Sequence, residues 1–325
     1  MKLHHIVAAQ QFDRSVLAEI FETSKEMEEV VKKGGVADYN HRIMATLFYE
    51  PSTRTRFSFE AAMHRLGGRV LTTENAAEFS SVSKGETLED TIRIMNGYAD
   101  VIVIRHSEMG AAQRAAAVSR VPVVNAGDGA GQHPTQALLD LYTIQKEIGG
   151  IDGLSIAMVG DLAQGRTARS LAYLLGKYKD VTMYFVAPPL LKMKEDILEH
   201  LRERRVRYEE EPDLNKVLPE VDVVYQTRVQ KERFGDRIAD YEKCRGLYII
   251  DRASLNRMRP GAIIMHPLPR VDEIAMEVDQ DPRAAYFRQA QNGLYVRMAI
   301  LKMILGNPAR KEENPALSEG RGWRA

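Results

Sequence analysis

IMATLFYEPSTRTRFSFE, residues 43–60, is the stretch that decides the fold. Its first six residues are mostly apolar and predict a buried strand. Pro51 cannot donate to a sheet ladder and ends that strand, while Ser52 is a good N-cap for a helix. From Thr53 onward the apolar residues recur at helical spacing. Residues 52–55 are therefore expected where a strand ends and a helix begins.

This junction carries many hydrogen-bond donors in a short segment. Ser52, Thr53 and Thr55 offer hydroxyl groups, and Arg54 and Arg56 offer guanidinium groups that match phosphate geometry. The first N–H groups of a helix have no partner within it and attract anions. Basic residues oppose the macrodipole at a helix start, which argues against a purely structural cap. The junction therefore predicts an oxyanion-binding site.

The composition bounds the class of protein. A chain of 325 residues with 44% hydrophobic residues suggests about two globular domains. Lys plus Arg and Asp plus Glu both total 45, so the net charge of zero argues against an extended nucleic-acid footprint. The single cysteine, Cys244, allows no intrachain disulfide. Because the N-terminal apolar patch is short and no apolar run is long enough to span a bilayer, we expect a cytoplasmic protein without membrane association.

Two further strand ends carry candidate ligand-binding residues. Arg105 follows the apolar strand 101–104, while His133 and Gln136 follow the strand 121–125 after a glycine-rich turn. In open α/β sheets, ligands bind at the carboxyl ends of the strands. We therefore expect Arg105 to contact the same ligand as the first junction, and we expect His133 and Gln136 near another strand-end helix start.

A second α/β half is predicted after the glycines at positions 149, 150 and 153. Its first strand leads through a glycine turn to Arg166 at a helix start. The spacing is not GxGxxG, and no clear acidic ribose ligand follows the next strand, so dinucleotide binding is disfavoured. Arg166 suits a carboxylate clamp instead.

Two later strand ends add polar groups to this second half. The strand 221–226 ends before the charged loop that contains Arg228 and Gln230. The strand 262–265 ends before HPLPR, residues 266–270. Prolines lack an N–H, and those of this turn are expected to hold the backbone extended, with carbonyl groups exposed to a ligand.

The motifs together resemble the aspartate/ornithine carbamoyltransferase family, over about residues 2–305. The resemblance is carried by residues 48–60, 133–136, 227–230 and 266–270. It implies an α/β fold with two similar domains, each a parallel sheet flanked by helices, joined by two interdomain helices. The implied divisions are a carbamoyl-phosphate-binding domain at 1–134, completed by a C-terminal helix at 286–305, and an aspartate-binding domain at 135–285. The resemblance does not cover residues 306–325, whose polar composition with Pro and Gly predicts a mobile tail.

The resemblance also implies an activity, which is transfer of the carbamoyl group from carbamoyl phosphate to the amine of L-aspartate. The products are N-carbamoyl-L-aspartate and phosphate, in pyrimidine biosynthesis towards UMP. Ornithine enzymes of the family have a cysteine in the turn where this chain has Leu268, so the aspartate branch is favoured. The sequence shows no metal-binding cluster or nucleotide motif, so neither a metal nor a cofactor is expected.

Site residues follow from the resemblance position by position. Catalysis is assigned to Arg54, Thr55, Arg105 and His133. Carbamoyl phosphate is assigned to Ser52, Thr53, Arg54, Thr55, Arg105, His133, Gln136, Pro267, Leu268 and Pro269. L-Aspartate is assigned to Lys84, Arg166, Arg228 and Gln230.

The loop with Ser80 and Lys84 resembles one that enters the active site of a neighbouring subunit, where Lys84 also contacts the phosphate. The resemblance therefore implies a homotrimer with shared active sites. Regulatory chains or a dihydroorotase are further partners that the sequence leaves open.

Two alternatives remain at this point. The first is a carbamoyltransferase that acts on ornithine or an acylated relative of it. The second is a catalytically silent scaffold that keeps only the fold. Anion clamps on two halves favour catalysis by positioning and electrostatics, with closure of the domains around the two substrates.

Overall fold

The computed structural model describes residues 3–76, 84–231, 234–236 and 238–306. In this part of the chain the strands pair in parallel and form two sheets. The first has the order β2-β1-β3-β4 and the second the order β7-β6-β5-β8-β9. The strands of the first sheet are β1 (Ile43–Phe48), β2 (Arg69–Glu74), β3 (Val101–His106) and β4 (Val123–Asp128). Those of the second are β5 (Ser155–Val159), β6 (Thr182–Val186), β7 (Arg207–Glu210), β8 (Val223–Gln226) and β9 (Ile263–Met265).

Helices cover both faces of both sheets, as parallel sheets require. They are α1 (Arg14–Lys32), α2 (Thr53–Arg65), α3 (Leu88–Met95), α4 (Ala111–Val118), α5 (Pro134–Ile148), α6 (Arg166–Leu175), α7 (Glu195–Glu203), α8 (Leu214–Val217), α9 (Ile238–Cys244), α10 (Arg252–Arg257) and α11 (Tyr286–Leu305). The predicted class, two parallel-sheet halves flanked by helices, is confirmed. No helix in the described ranges has the length and apolar character that a membrane crossing needs.

The strand β1 shows how the sequence pattern produces the layers. Successive side chains of a strand point to opposite faces. Met44 and Phe48 lie in the apolar cluster under α1, α2 and α11, while Ala45 and Leu47 lie in the cluster on the other face, with α3 and α4. Both faces of the strand are therefore buried, which explains its continuous apolar run.

Two long helices, α5 and α11, connect the halves. The helix α5 packs on β4 of the first sheet and on α6 of the second half. The helix α11 packs on α1, α2 and α5, and its first turns touch β9. One apolar cluster accordingly runs without a break from Val101 in the first sheet to Met158 in the second.

Several local expectations differ from the structure. The sequence pattern predicts the body of the helix after Arg166 at residues 168–178, whereas α6 runs from Arg166 to Leu175. Asn292-Gly293 interrupts the apolar pattern of the C-terminal helix and predicts a kink, yet α11 runs through it. A Cβ on Gly293 would lie 3.1 Å from Cδ2 of Leu139, so this glycine permits close packing of α11 on α5. The apolar spacing also predicts Phe287 on the buried face of this helix, but Phe287 is 55% exposed, and its neighbour Tyr286 is the buried aromatic residue.

Candidate active site

The predicted site residues meet at one cavity of about 540 Å³ between the two sheets. Its walls come from segments that follow β1, β3, β4, β5, β8 and β9, so it lies at the carboxyl ends of both sheets. The predicted residues on its surface are Ser52, Thr53, Arg54, Thr55, Arg105, His133, Gln136, Arg166, Arg228, Gln230, Pro267, Leu268 and Pro269. Residues as far apart in the sequence as Ser52 and Pro269 thus line a single cavity.

The two residues expected from a neighbouring subunit behave differently. Lys84 is exposed and does not line the cavity of its own chain. Ser80 lies outside the described residues. Their assignment to a shared site stays a prediction.

Helices α2, α5 and α6 all begin at this cavity. Thr53, Gln136 and Arg166 lie in their first turns and line its wall. Helix starts present unpaired N–H groups and the positive end of the macrodipole. Ser52 occupies the N-cap of α2, but within the described residues its hydroxyl makes no capping hydrogen bond. That hydroxyl can therefore donate to a ligand at a wall that already favours anions.

Arg105 and Arg166 approach each other from the two halves. Nη2 of Arg105 lies 3.1 Å, and Nη2 of Arg166 lies 3.5 Å, from the same carboxylate oxygen, Oε2 of Glu50. Arg166 Nη1 also donates to the carbonyl of Gly129 at 2.6 Å, and Arg105 Nη1 donates to the carbonyl of Ala126 at 3.3 Å. Burial lowers the pKa of Arg166, while Glu50 acts in the opposite direction. Glu50 therefore bridges two cations at the cavity, one from each half.

Gly127 makes this approach possible. Its φ is +115°, in the region that favours glycine. A Cβ at this position would lie 3.0 Å from Cζ of Arg166 and 3.1 Å from Nη1 of Arg105. The turn after β4 therefore needs a residue without a side chain to let both guanidinium groups reach the cavity.

His133 is a buried neutral donor or acceptor in this positive field. Its side chain is only 4% exposed. Burial, together with the charges of Arg166, Arg105 and Arg297, holds the pKa of His133 well below its usual range. At neutral pH the imidazole is therefore uncharged and carries one N–H.

The turn after β9 is held by a second buried histidine. His266 Nδ1 accepts from the backbone N–H of Leu268 at 2.7 Å, and Nε2 lies 2.7 Å from Oε1 of Glu273. Because Nδ1 accepts, the proton belongs on Nε2, where it is donated to the carboxylate. Burial lowers the pKa of His266. Contrary to the extended backbone expected here, Leu268 has φ +54°, since its N–H turns back to His266.

Sequence reasoning missed three charged residues and one amide near the cavity. Glu50 bridges the arginines, and Arg297 and Gln289 reach the cavity from α11. Arg297 Nη1 donates to Oγ of Ser58 at 2.8 Å, and burial lowers its pKa to about 10, which still leaves it charged at neutral pH. Asp140, completely buried on α5, accepts from Gln136 and Gln289. A single charge among apolar sequence neighbours was the available signal for Asp140 and Arg297, although it does not reveal their partners.

Comparison with known proteins agrees with this geometry. Residues 4–146 match the model described as aspartate/ornithine carbamoyltransferase, carbamoyl-P binding domain, and residues 152–304 match the one described as aspartate/ornithine carbamoyltransferase, Asp/Orn binding domain. The chain belongs to the aspartate/ornithine carbamoyltransferase family.

Individual relatives lie on the aspartate side of that family. Aspartate carbamoyltransferase 3, chloroplastic, of Pisum sativum is 61% identical over 305 residues, 94% of this chain and 78% of the relative. The aspartate carbamoyltransferase catalytic subunit of Thermoplasma acidophilum is 52% identical over 308 residues, 94% of this chain and all of the relative. A crystal structure of aspartate transcarbamoylase from Trypanosoma cruzi, in complex with carbamoyl phosphate and aspartate, is 42% identical with a TM-score of 0.89. That match covers 93% of this chain and 97% of the other.

A first prediction concerns the turn at Gly127. We expect Gly127→Ala to lower kcat/KM about 100-fold, the cost of losing one well-placed donor, because the methyl group displaces Arg105 and Arg166. Gly149→Ala is the matched control, since Gly149 has φ +91° but nothing within 4 Å of an added Cβ. Both variants should lose about 1 kcal/mol of unfolding free energy from the left-handed backbone, measured by denaturant titration. Equal kinetics for the two variants would contradict the steric argument.

A second prediction concerns the charge of His133. Because the folded protein lowers its pKa, protonation should begin only well below the range of a free imidazole, near 6.5. The ring resonances of His133, assigned by comparison with His133→Asn, should therefore stay constant in NMR spectra from pH 8 to pH 6. A short histidine-containing peptide in the same tube serves as the reference that does titrate. A midpoint for His133 at or above that of the reference would show that the cavity field is not as positive as its arginines suggest.

Proposed function

We propose that this chain transfers the carbamoyl group from carbamoyl phosphate to the amine of L-aspartate, giving N-carbamoyl-L-aspartate and phosphate. One observation carries the proposal: hydroxyl and guanidinium donors of the α2 start, a neutral His133, and Arg166 and Arg228 of the second half line a single cavity. The relatives named above are aspartate carbamoyltransferases, and a related structure holds both substrates. We also propose a role in pyrimidine biosynthesis, for which this product is suited.

The phosphate arm is assigned to the start of α2. Ser52, Thr53, Arg54 and Thr55 lie on the cavity wall, where the helix supplies backbone N–H groups. Arginine matches the phosphate oxygens with paired donors. We accordingly assign carbamoyl-phosphate binding to residues 1–134 together with the helix at 286–305. The predicted mobile tail at 306–325 lies, after Gly306, outside the described residues, and we assign no role to it.

The carbonyl arm is assigned to Thr55, Arg105 and His133. When an amine attacks carbamoyl phosphate, negative charge develops on the carbonyl oxygen. Donors fixed before the reaction stabilise that charge, and losing one typically costs about 10²–10³ in rate. A neutral His133 donates without adding a further positive charge to the cluster. The amide side of the substrate is assigned to Gln136 and to the carbonyls of the turn at residues 267–269.

The amino-acid arm is assigned to residues 135–285, with Arg166 and Arg228 on the two carboxylates and Gln230 beside them. Arg166 is only 7% exposed and projects from the first residue of α6. Two fixed guanidinium groups favour a dicarboxylate and repel the cationic side chain of ornithine. The convergence of both guanidinium groups on the cavity of the phosphate-binding donors argues against a silent scaffold, which would need no such arrangement.

A third prediction tests the substrate choice. The purified chain should turn over carbamoyl phosphate with L-aspartate and not with L-ornithine, as measured by release of inorganic phosphate. Arg228→Met should raise KM for aspartate about 10- to 100-fold, the effect of losing a hydrogen bond between charged groups, and should change KM for carbamoyl phosphate little.

Arg257→Met is the control for that variant, since Arg257 is exposed and lies outside the cavity lining. Turnover with ornithine but not aspartate would reject the proposed acceptor. Absence of turnover with either amine, combined with no calorimetric binding of carbamoyl phosphate, would support the scaffold alternative.

We further propose a homotrimer in which Ser80 and Lys84 of one subunit complete the site of its neighbour. Support comes from the exposure of Lys84, which does not line the cavity of its own chain. Regulatory chains or a dihydroorotase, and a cytoplasmic location, stay part of the proposal. The single cysteine agrees with a reducing compartment, while the Pisum sativum relative is named chloroplastic. Fractionation and the mass of the native assembly test these points.

A fourth prediction tests the shared site. Lys84→Gln and His133→Asn should each be nearly inactive as pure trimers. After dissociation and joint reassembly in equal amounts, about a quarter of the sites should recover activity, because each site then draws its two contributors independently. Mixing without dissociation is the control. If Lys84 acted within its own chain, reassembly would restore nothing, since no subunit carries both intact residues.

A further inference from the structure

Asp140 is a buried carboxylate to which no role has been assigned above. It lies on α5 with no exposed surface. Its Oδ1 accepts from Nε2 of Gln136 at 2.8 Å and from Nε2 of Gln289 at 2.7 Å. Its Oδ2 accepts from the hydroxyl of Tyr225 at 2.7 Å. One side chain therefore joins α5, α11 and β8 at the floor of the cavity.

These bonds fix which way each glutamine amide faces. Gln289 Oε1 accepts from the backbone N–H of His266 at 2.8 Å, so its Nε2 must face Asp140. Gln136 also directs Nε2 at Asp140, because a carboxylate oxygen accepts and does not donate. Gln136 lines the cavity, and the group it can then offer a ligand is its Oε1, an acceptor.

Gln289 connects Asp140 to the turn after β9, which forms another part of the cavity wall. The N–H of His266 that it binds begins the turn whose residues Pro267 and Leu268 line the cavity, and the carbonyls of this turn are the acceptors assigned above to the substrate amide. The turn is fixed at its other end by the bond from Leu268 N–H to His266 Nδ1. A single carboxylate thereby holds acceptors on two sides of the same space.

We infer that Asp140 is a positioning residue that sets the polarity of the amide-binding part of the cavity, so that it selects a carbamoyl phosphate over an acyl phosphate. The inference rests on the proposed function and deepens it. An NH₂ group satisfies acceptors on both walls, whereas the methyl group of acetyl phosphate leaves them unpaired. Sites built around such hydrogen bonds reject the analogue that lacks them. Without Asp140 the Gln136 amide is free to turn its NH₂ group towards the ligand, and the preference disappears.

The test compares carbamoyl phosphate with acetyl phosphate, which shares its phosphate and carbonyl groups. For the full-length protein, KM for carbamoyl phosphate and the inhibition constants of acetyl phosphate and inorganic phosphate are measured with aspartate as acceptor. Asp140→Leu should reduce the preference for carbamoyl over acetyl phosphate about 10-fold, the effect of one or two neutral hydrogen bonds. The inhibition constant of inorganic phosphate should stay within about twofold, since the start of α2 is untouched.

Two further variants separate positioning from packing. Asp140→Asn keeps an acceptor for both glutamines and should retain most of the preference. Tyr225→Phe removes the third hydrogen bond of Asp140 without freeing either glutamine, and should leave the preference unchanged. If Asp140→Leu does not fold, Gln289→Met cuts the link to the His266 turn and should lower the preference about threefold, the effect of one neutral hydrogen bond.

The outcomes are distinguishable. Equal losses for carbamoyl, acetyl and inorganic phosphate in Asp140→Leu, or an unchanged preference in either Asp140→Leu or Gln289→Met, would overturn the inference and leave the proposed function standing. A wild-type protein that does not consume carbamoyl phosphate would overturn the proposed function first.

Discussion

Repulsion among cations gathered at one cavity is the constraint on which the rest of this structure depends. Arg54, Arg105, Arg166, Arg228 and Arg297 line the same space, and helices α2, α5 and α6 direct their positive ends into it. Removing such charges from water costs several kcal/mol each even after relaxation. The arrangement persists because each sheet has apolar clusters on both faces, which hold the strand ends in position whatever the charges do. Glu50 offsets part of the repulsion between Arg105 and Arg166. Two anionic substrates would supply the remaining negative charge.

Burial and the positive electrostatic field of these arginines also determine the protonation state of nearby titratable groups. His133 stays neutral because it is buried beside three arginines, so it offers a hydrogen bond where a charged imidazole would add repulsion. The pKa of Asp140 shifts in the opposite direction to that of His133. Burial raises its pKa to about 7, although Arg297 and three hydrogen bonds favour the ionised form. Its Oδ1 accepts from the glutamines in either protonation state if the proton resides on Oδ2, so the floor of the cavity keeps its polarity across the neutral range.

The sequence predicts those parts of the fold that depend on residues close together along the chain. Apolar runs followed by Pro51 or by a glycine turn gave the strand-to-helix junctions, and the rule that ligands bind at strand ends brought Arg105, His133 and Arg166 together. The edge strand β7 was missed because its residues are mostly charged and it pairs on one side only, so it has no apolar pattern. Glu50, Asp140 and Arg297 were missed for a different reason. Their meaning comes from partners far along the chain, such as Ser58 for Arg297 and Tyr225 for Asp140, which no local pattern reveals.

The floor of the cavity also limits how the two halves can move. Asp140 of α5 binds Tyr225 of β8, and Gln289 of α11 binds both Asp140 and the turn after β9. These groups are completely or almost completely buried, and breaking a buried hydrogen bond to a charged group costs about 1.5–3 kcal/mol. The mouth of the cavity is different, since Arg228 and Gln230 lie on a half-buried loop after β8. A closing motion that keeps the floor intact would therefore be a rotation about α5 and α11, which would carry Arg228 and Gln230 towards the start of α2 while the residues around Asp140 keep their places.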